Sequence, residues 1–165
     1  MKYFLSRNVK EPARGTDKSA GIDFFVPAFN NDNFIIDLEE KNKNICIMND
    51  KILLKPGERV LIPSGVYVKI PEDYCLIAFN KSGVASKKGL DVLSCLVDAD
   101  YMGEIHLSLV NTSDENVYIY ENEKIIQFVL VPTIYNTPIK VESKDELYKN
   151  LKSNRGEGGF GSTGN

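Results

Sequence analysis

A chain of 165 residues is the length of one domain, large enough to bury roughly 70% of its unfolded surface. Its 20 Lys and Arg against 23 Asp and Glu leave a formal charge of -3, so there is no basic field for nucleic acid in bulk, and a nucleotide would have to be held by local groups. Cys46, Cys75 and Cys95 are odd in number and widely spaced, and His106 is the only histidine; this argues against a zinc site and a disulfide scaffold and fits a reducing compartment. Residues 1–7 lack an apolar h-region and no stretch approaches membrane-spanning length, which predicts a soluble, cytoplasmic protein with no membrane partner.

In chain order, turn signals recur at Lys55-Pro56-Gly57-Glu58, Pro63-Ser64-Gly65, Pro71-Glu72-Asp73 and Ser113-Asp114-Glu115-Asn116. Between them stand short runs rich in Val, Ile and Tyr, several alternating in polarity: 59–62, 65–70, 105–110 and 125–131. The pattern predicts an all-β sandwich or barrel. The stretch at about 28–50 mixes Asn, Asp, Lys and Glu with two short apolar runs and reads as a hairpin-like surface insertion. Only 145–151 has helical spacing, with Leu147 and Leu151 on one face, enough for a turn or two.

Five segments carry chemistry. In Ala20-Gly21-Ile22-Asp23-Phe24-Phe25 a carboxylate sits in an apolar run, so Asp23 needs a partner, either turn N–H groups or a functional contact. The segment 80–89 leaves a strand and becomes small and basic; Lys81, Ser82 and Gly83 could cradle phosphates, or form a plain surface loop. In 97–104 an extended backbone would put Asp98 and Asp100 on one face, as for a general base or a metal; a turn opening at Asp100 and ending at Gly103 leaves Asp98 as the base. Tyr101 could stack on a sugar or serve as packing. Gln127 interrupts an apolar strand and must brace a polar loop or bond a ligand's water shell, while Lys124 reads as a solvated edge charge.

The last segment, 155–164, holds five glycines with Arg155, Phe160, Gly161, Ser162 and Thr163. Such a segment is too flexible to fold alone, yet it offers a guanidinium and hydroxyls for phosphate and a ring for a base. The expected organisation is a β domain over 1–150 and a nucleotide-covering tail over 151–165.

Taken in order from Ala20 to Gly164, these segments resemble those of the trimeric dUTP pyrophosphatase (dUTPase) family. The resemblance implies a β jelly roll, a homotrimer with shared active sites, and cleavage of dUTP to dUMP and pyrophosphate with Mg2+, which limits uracil in DNA and supplies dUMP for dTTP synthesis. It implies Asp98 as general base, Tyr101 under the deoxyribose, and Lys81, Ser82, Gly83 and Gln127 at the phosphates or their water. Val92, Leu93, Ser94, Cys95 and Val97 would form the hairpin that reads uracil through its backbone. Phe160 would cover the base; Arg155, Gly161, Ser162 and Thr163 would close over the phosphates, and Mg2+ would be held mainly by triphosphate and water, with Asp23 in a supporting role.

The chain departs from the family pattern at several places. Asn80-Lys81 stands for the usual Pro-Arg, Ile22 for Tyr, Met102 for Arg, and Leu93-Ser94-Cys95 for glycines in the base-reading hairpin. The related dCTP deaminases carry a Glu where this chain has Ser108, so no proton shuttle for attack on a cytosine ring is present. The alternatives are a pyrophosphatase for another or modified deoxynucleotide, and a nucleotide-gated regulator binding a protein partner; an intact Asp98 favours an enzyme.

Overall fold

Side chains on a strand alternate between faces, so a segment with apolar residues at every second position buries one face and leaves the other to solvent. Lys51–Leu54 buries Ile52 and Leu54, Arg59–Pro63 buries Val60 and Ile62, and Val117–Tyr120 buries Val117 and Ile119 while Tyr118 and Tyr120 face out. In the computed structural model, which describes residues 1–29, 36–37, 47–48, 51–93 and 96–158, such segments build an all-β jelly roll. The strands are β1 (Lys2–Leu5), β2 (Ile22–Phe25), β3 (Ile36–Asp37), β4 (Ile47–Met48), β5 (Lys51–Leu54), β6 (Arg59–Pro63), β7 (Val66–Lys69) and β8 (Tyr74–Asn80). They continue with β9 (Leu90–Val92), β10 (Leu96–Val97), β11 (His106–Asn111), β12 (Val117–Tyr120) and β13 (Lys124–Pro132).

Two four-stranded antiparallel sheets, ordered β10-β8-β13-β2 and β3-β6-β11-β9, supply most of the core; β12-β5-β4 and the pair β1-β7 complete the strands. Phe24 and Phe128 meet with ring centroids 4.5 Å apart and join Leu76 from the first sheet to a cluster with Val60, Ile62, Leu107 and Leu109 from the second. Burial at this scale is the main driving force of the fold. Asn111 is fully buried and satisfied: its amide donates to the carbonyls of Leu54 (3.0 Å) and Glu115 (2.7 Å), and its Oδ1 accepts from the N–H and hydroxyl of Ser113. It thereby holds the 113–116 turn against β5.

Where the sequence suggests a surface loop after β8, the chain forms a helix, α1 (Ser82–Lys88). Lys81 is its extended N-cap, and Gly89 ends it in the left-handed region at φ 64°, donating its N–H to the Ala85 carbonyl. A Cβ on Gly89 would lie 2.7 Å from Ser113 Cβ, so the position has neither the conformation nor the room for a side chain. Within the 28–50 stretch the described strands β3 and β4 pair with β6 and β5, not with each other.

The chain comprises two compact units, Met1–Ile134 and Tyr135–Asn165. Every described buried residue belongs to the first. In the second, the expected helix is one turn, α2 (Lys144–Leu147), capped by Ser143, whose hydroxyl accepts from the Glu146 N–H at 3.1 Å. Leu147 and Leu151 are exposed, so the apolar face inferred from their spacing is not buried within the unit.

Candidate active site

Burying a carboxylate costs several kcal/mol unless a cation meets it, on the order of the penalty for any desolvated ion. Asp23 on β2 is 4% exposed and is met twice: by the Lys81 ammonium, with which it forms a hydrogen-bonded ion pair, and by Lys124 Nζ at 3.3 Å. The partner that the apolar surroundings of Asp23 demand is therefore cationic. Lys124 is not the purely solvated edge charge its sequence position suggests; it is half-exposed but paired.

Gln127 of β13 stands opposite Asp23 in register and donates from Nε2 to the Asn80 carbonyl at 2.8 Å, bracing the end of β8. Gly21 makes room for it: a Cβ there would collide with the Gln127 side-chain amide. Lys81, Ser82, Gly83, Val84, Lys87, Lys124 and Gln127 line a depression of about 420 Å³. The N–H groups of Ser82 and Gly83 lie in the first turn of α1, where no intrahelical acceptor exists, and nothing lies within 4 Å of the Cβ position of Gly83. Cationic side chains and free N–H donors around an open hollow suit phosphate oxygens.

The second group sits on the turn after β10. Tyr101 N–H donates to the Asp98 carbonyl at 3.2 Å, so the turn opens at Asp98 and not, as the sequence suggests, at Asp100. The Asp98 side chain is exposed and lines a hollow of about 230 Å³ with Tyr101, Glu104, His106, Val97 and Phe128. Its carboxylate has no hydrogen-bonding or ionic partner among the described residues. Tyr101 donates its hydroxyl to the Glu104 carbonyl at 3.0 Å, and its ring occupies the space that a Cβ on Gly103 would need. His106 Nδ1 lies 3.0 Å from the same carbonyl, which can only accept, so Nδ1 is the donor of that hydrogen bond.

Glu104 anchors this turn from behind. Its carboxylate, 13% exposed, pairs with Arg7 at 2.9 Å and accepts the Gly65 N–H. Glu104 and Arg7 escape a reading by segment because the pair joins distant parts of the chain; the local signal is a charge between Gly103 and an apolar strand. In the sequence Lys87 and Lys124 are visible as charges only, and their convergence on the depression comes from the fold.

The two groups do not meet within the chain. Val97 pairs with Leu76 near the start of β8, whereas Ser82 follows its end, and the stretch from Leu76 to Asn80 alone spans roughly 13 Å. Val92 and Leu93 lead into the hairpin before Asp98, Leu93 being exposed and bonded through its N–H to the Ser108 carbonyl at 3.1 Å. Ser94 and Cys95 lie outside the described residues, as do Phe160, Gly161, Ser162 and Thr163. Arg155 is described: Nε donates to the Gly158 carbonyl at 2.7 Å, curling the start of the glycine-rich segment on itself. Cys75 is a buried free thiol, and among the described residues no group of three or more His, Cys, Asp or Glu could hold a metal, and no helix is long and apolar enough to cross a membrane.

The fold is an all-β jelly roll with a cationic hollow at one end of a strand and, at the other, an exposed carboxylate that has no partner among the described residues, an arrangement whose chemistry suits a phosphorylated ligand. The family model described as dUTPase matches residues 44–164, and the chain belongs to the dUTPase family. The deoxyuridine 5'-triphosphate nucleotidohydrolase of Fusobacterium nucleatum subsp. nucleatum is 40% identical over 166 residues, covering 99% of this chain and 96% of its own. That of Hydrogenobaculum sp. (strain Y04AAS1) is 40% identical over 123 residues, 73% of this chain and 81% of the relative. Among solved structures, the dUTPase of Staphylococcus bacteriophage 80alpha with dUPNHPP superposes with a TM-score of 0.75 at 26% identity, covering 99% of this chain and 98% of that one. A point mutant of the dUTPase from phage phi11 of S. aureus, in which a structural Mg(II) ion is coordinated, shares the fold with a TM-score of 0.67 at 23% identity, over 87% of this chain and 97% of that one.

Proposed function

We propose that the protein is a dUTP diphosphatase, hydrolysing dUTP to dUMP and pyrophosphate. The observation that carries this reading is the hollow of Lys81, Lys87, Lys124, Ser82, Gly83 and Gln127, which matches an oligophosphate in charge and donor type in a chain of the dUTPase family. Asp98 acts as general base: its carboxylate accepts a proton from water as the water oxygen bonds to the α-phosphorus. The bond from that phosphorus to the oxygen bridging to the β-phosphorus breaks, and pyrophosphate leaves with the electron pair. An exposed carboxylate engaged by no lysine among the described residues is free to take that proton, whereas Asp23 is held between two.

Tyr101 packs against the deoxyribose, and the hairpin that includes Val92, Leu93, Ser94, Cys95 and Val97 reads the base. Because Asp98 and the phosphate hollow lie at opposite ends of β8, one site takes them from different subunits of a homotrimer, and the tail over 151–165, with Arg155, Phe160, Gly161, Ser162 and Thr163, closes over it. Mg2+ fits this donor set as a triphosphate-bound ion: the described residues offer cations and N–H groups to phosphate oxygen and no carboxylate cluster to the metal itself. When bound, Mg2+ neutralises charge on the phosphates. A pyrophosphate-release panel over dUTP, dCTP, dTTP and dATP tests the reading. Release from dUTP above the others is expected; no release from any at high enzyme concentration overturns it.

A further inference from the structure

The outer edge of one sheet is closed by a side chain where no strand follows. β9 is the last strand of the sheet ordered β3-β6-β11-β9, and Leu93 N–H bonds back to Ser108 of β11 at 3.1 Å. Along an antiparallel edge, successive N–H groups point to opposite sides, so the N–H of Val92 faces away from β11. What it meets is Asn80, the last residue of β8 in the other sheet. Val92 N–H donates to Asn80 Oδ1 at 2.9 Å and to Asp91 Oδ1 at 3.0 Å, while Asn80 Nδ2 donates to Asp91 Oδ1. The carbonyl of the same asparagine accepts from Gln127 Nε2 at 2.8 Å. Asn80 thus bridges two sheets that share no backbone pairing here, and it does so between the entry to α1 and the first residue of the hairpin ahead of Asp98.

We propose that Asn80 is a positioning residue for base selectivity: through Val92 and Asp91 its side chain fixes where the base-reading hairpin starts relative to β8. The proposal rests on the dUTP reading above. A hairpin that recognises a base by main-chain donors and acceptors discriminates only if those groups are held in place, because the wrong base is rejected by the polar groups it leaves unpaired. Asn is suited to the bridge because one side chain supplies both a donor for Asp91 and an acceptor for Val92. Phosphate binding is served separately, by the main-chain carbonyl of Asn80 that orients Gln127.

The test compares kcat and KM for dUTP and dCTP in the full-length protein, its Asn80→Ala and Asn80→Asp variants and the double variant Asn80→Asp/Asp91→Asn, with amide hydrogen exchange at Val92 alongside. Asn80→Ala is expected to lower the dUTP-to-dCTP ratio of kcat/KM about fivefold, mainly through KM for dUTP, and to speed Val92 exchange by a similar factor. Asn80→Asp sets two carboxylates together and lowers the ratio further. The double variant moves the carboxylate to β8 and the amide to β9, keeps every donor matched to an acceptor, and returns the ratio to within about twofold of the parent. An unchanged ratio in Asn80→Ala, an equal loss on both nucleotides, or a double variant no better than Asn80→Asp overturns the proposal. Should the parent release no pyrophosphate from dUTP, the dUTP reading falls, while unchanged Val92 exchange in Asn80→Ala overturns the anchor itself.

Discussion

Asp23 and Asp98 are carboxylates of one chain put to opposite uses. Asp23 is 4% exposed and tied to Lys81 and Lys124, so its charge is spent on holding β2, β13 and the start of α1 together. Asp98 stands exposed on a turn, with no partner among the described residues, and the groups that hold its turn act through Glu104 and Tyr101 instead. The fold thus separates support from chemistry: a base must be free to accept a proton, and a carboxylate saturated by two ammonium groups is not.

Each end of that contrast can be broken. The largest effect is expected from Asp98→Asn, which keeps shape and removes the proton acceptor: kcat should fall by roughly 10²–10⁴-fold with dUTP affinity retained, read by pyrophosphate release and equilibrium binding. Next comes removal of residues 155–165. No described residue from Arg155 onward is buried. Turnover should therefore drop by roughly 10²-fold while the melting temperature without nucleotide stays within about 2 °C. A large fall in melting temperature would instead make the tail a structural element.

Lys81→Ala sharpens the other end. It leaves Asp23 with Lys124 alone, and because Lys81 retains 20% exposure the expected cost is moderate, about 1–2 kcal/mol or a melting temperature lower by roughly 2–8 °C. The double variant Lys81→Ala/Asp23→Asn should recover part of that loss, since it no longer buries an under-compensated charge. The smallest effect belongs to Gly21→Ala, which pushes Gln127 off the Asn80 carbonyl and should cost about 1 kcal/mol in stability, with a modest rise in KM and little change in kcat.

The strands that make the core are legible in the sequence because their patterns are local: the runs at 59–62, 65–70, 105–110 and 125–131 form β6, β7, β11 and β13. The helix α1 is not, because Ser82-Gly83-Val84 is a poor helix start by propensity, and its ends are set by the extended Lys81 and by Gly89 packed on Ser113, a contact made across the fold. The five chemical segments can be recognised one by one. Their spatial division cannot, since it follows from the register Val97↔Leu76, which no single segment contains. For the same reason Lys124 reads as solvated: Asp23 reaches it only once β2 and β13 pair.

The Arg7–Glu104 pair has a consequence for how the molecule comes into being. Its members are 97 positions apart, so during synthesis Arg7 must wait until well over half of the chain has left the ribosome before it can brace the turn bearing Asp98. Activity is thus among the last properties a nascent molecule acquires, and a protease that trims past Arg7 in the finished one would return that turn to its unbraced condition.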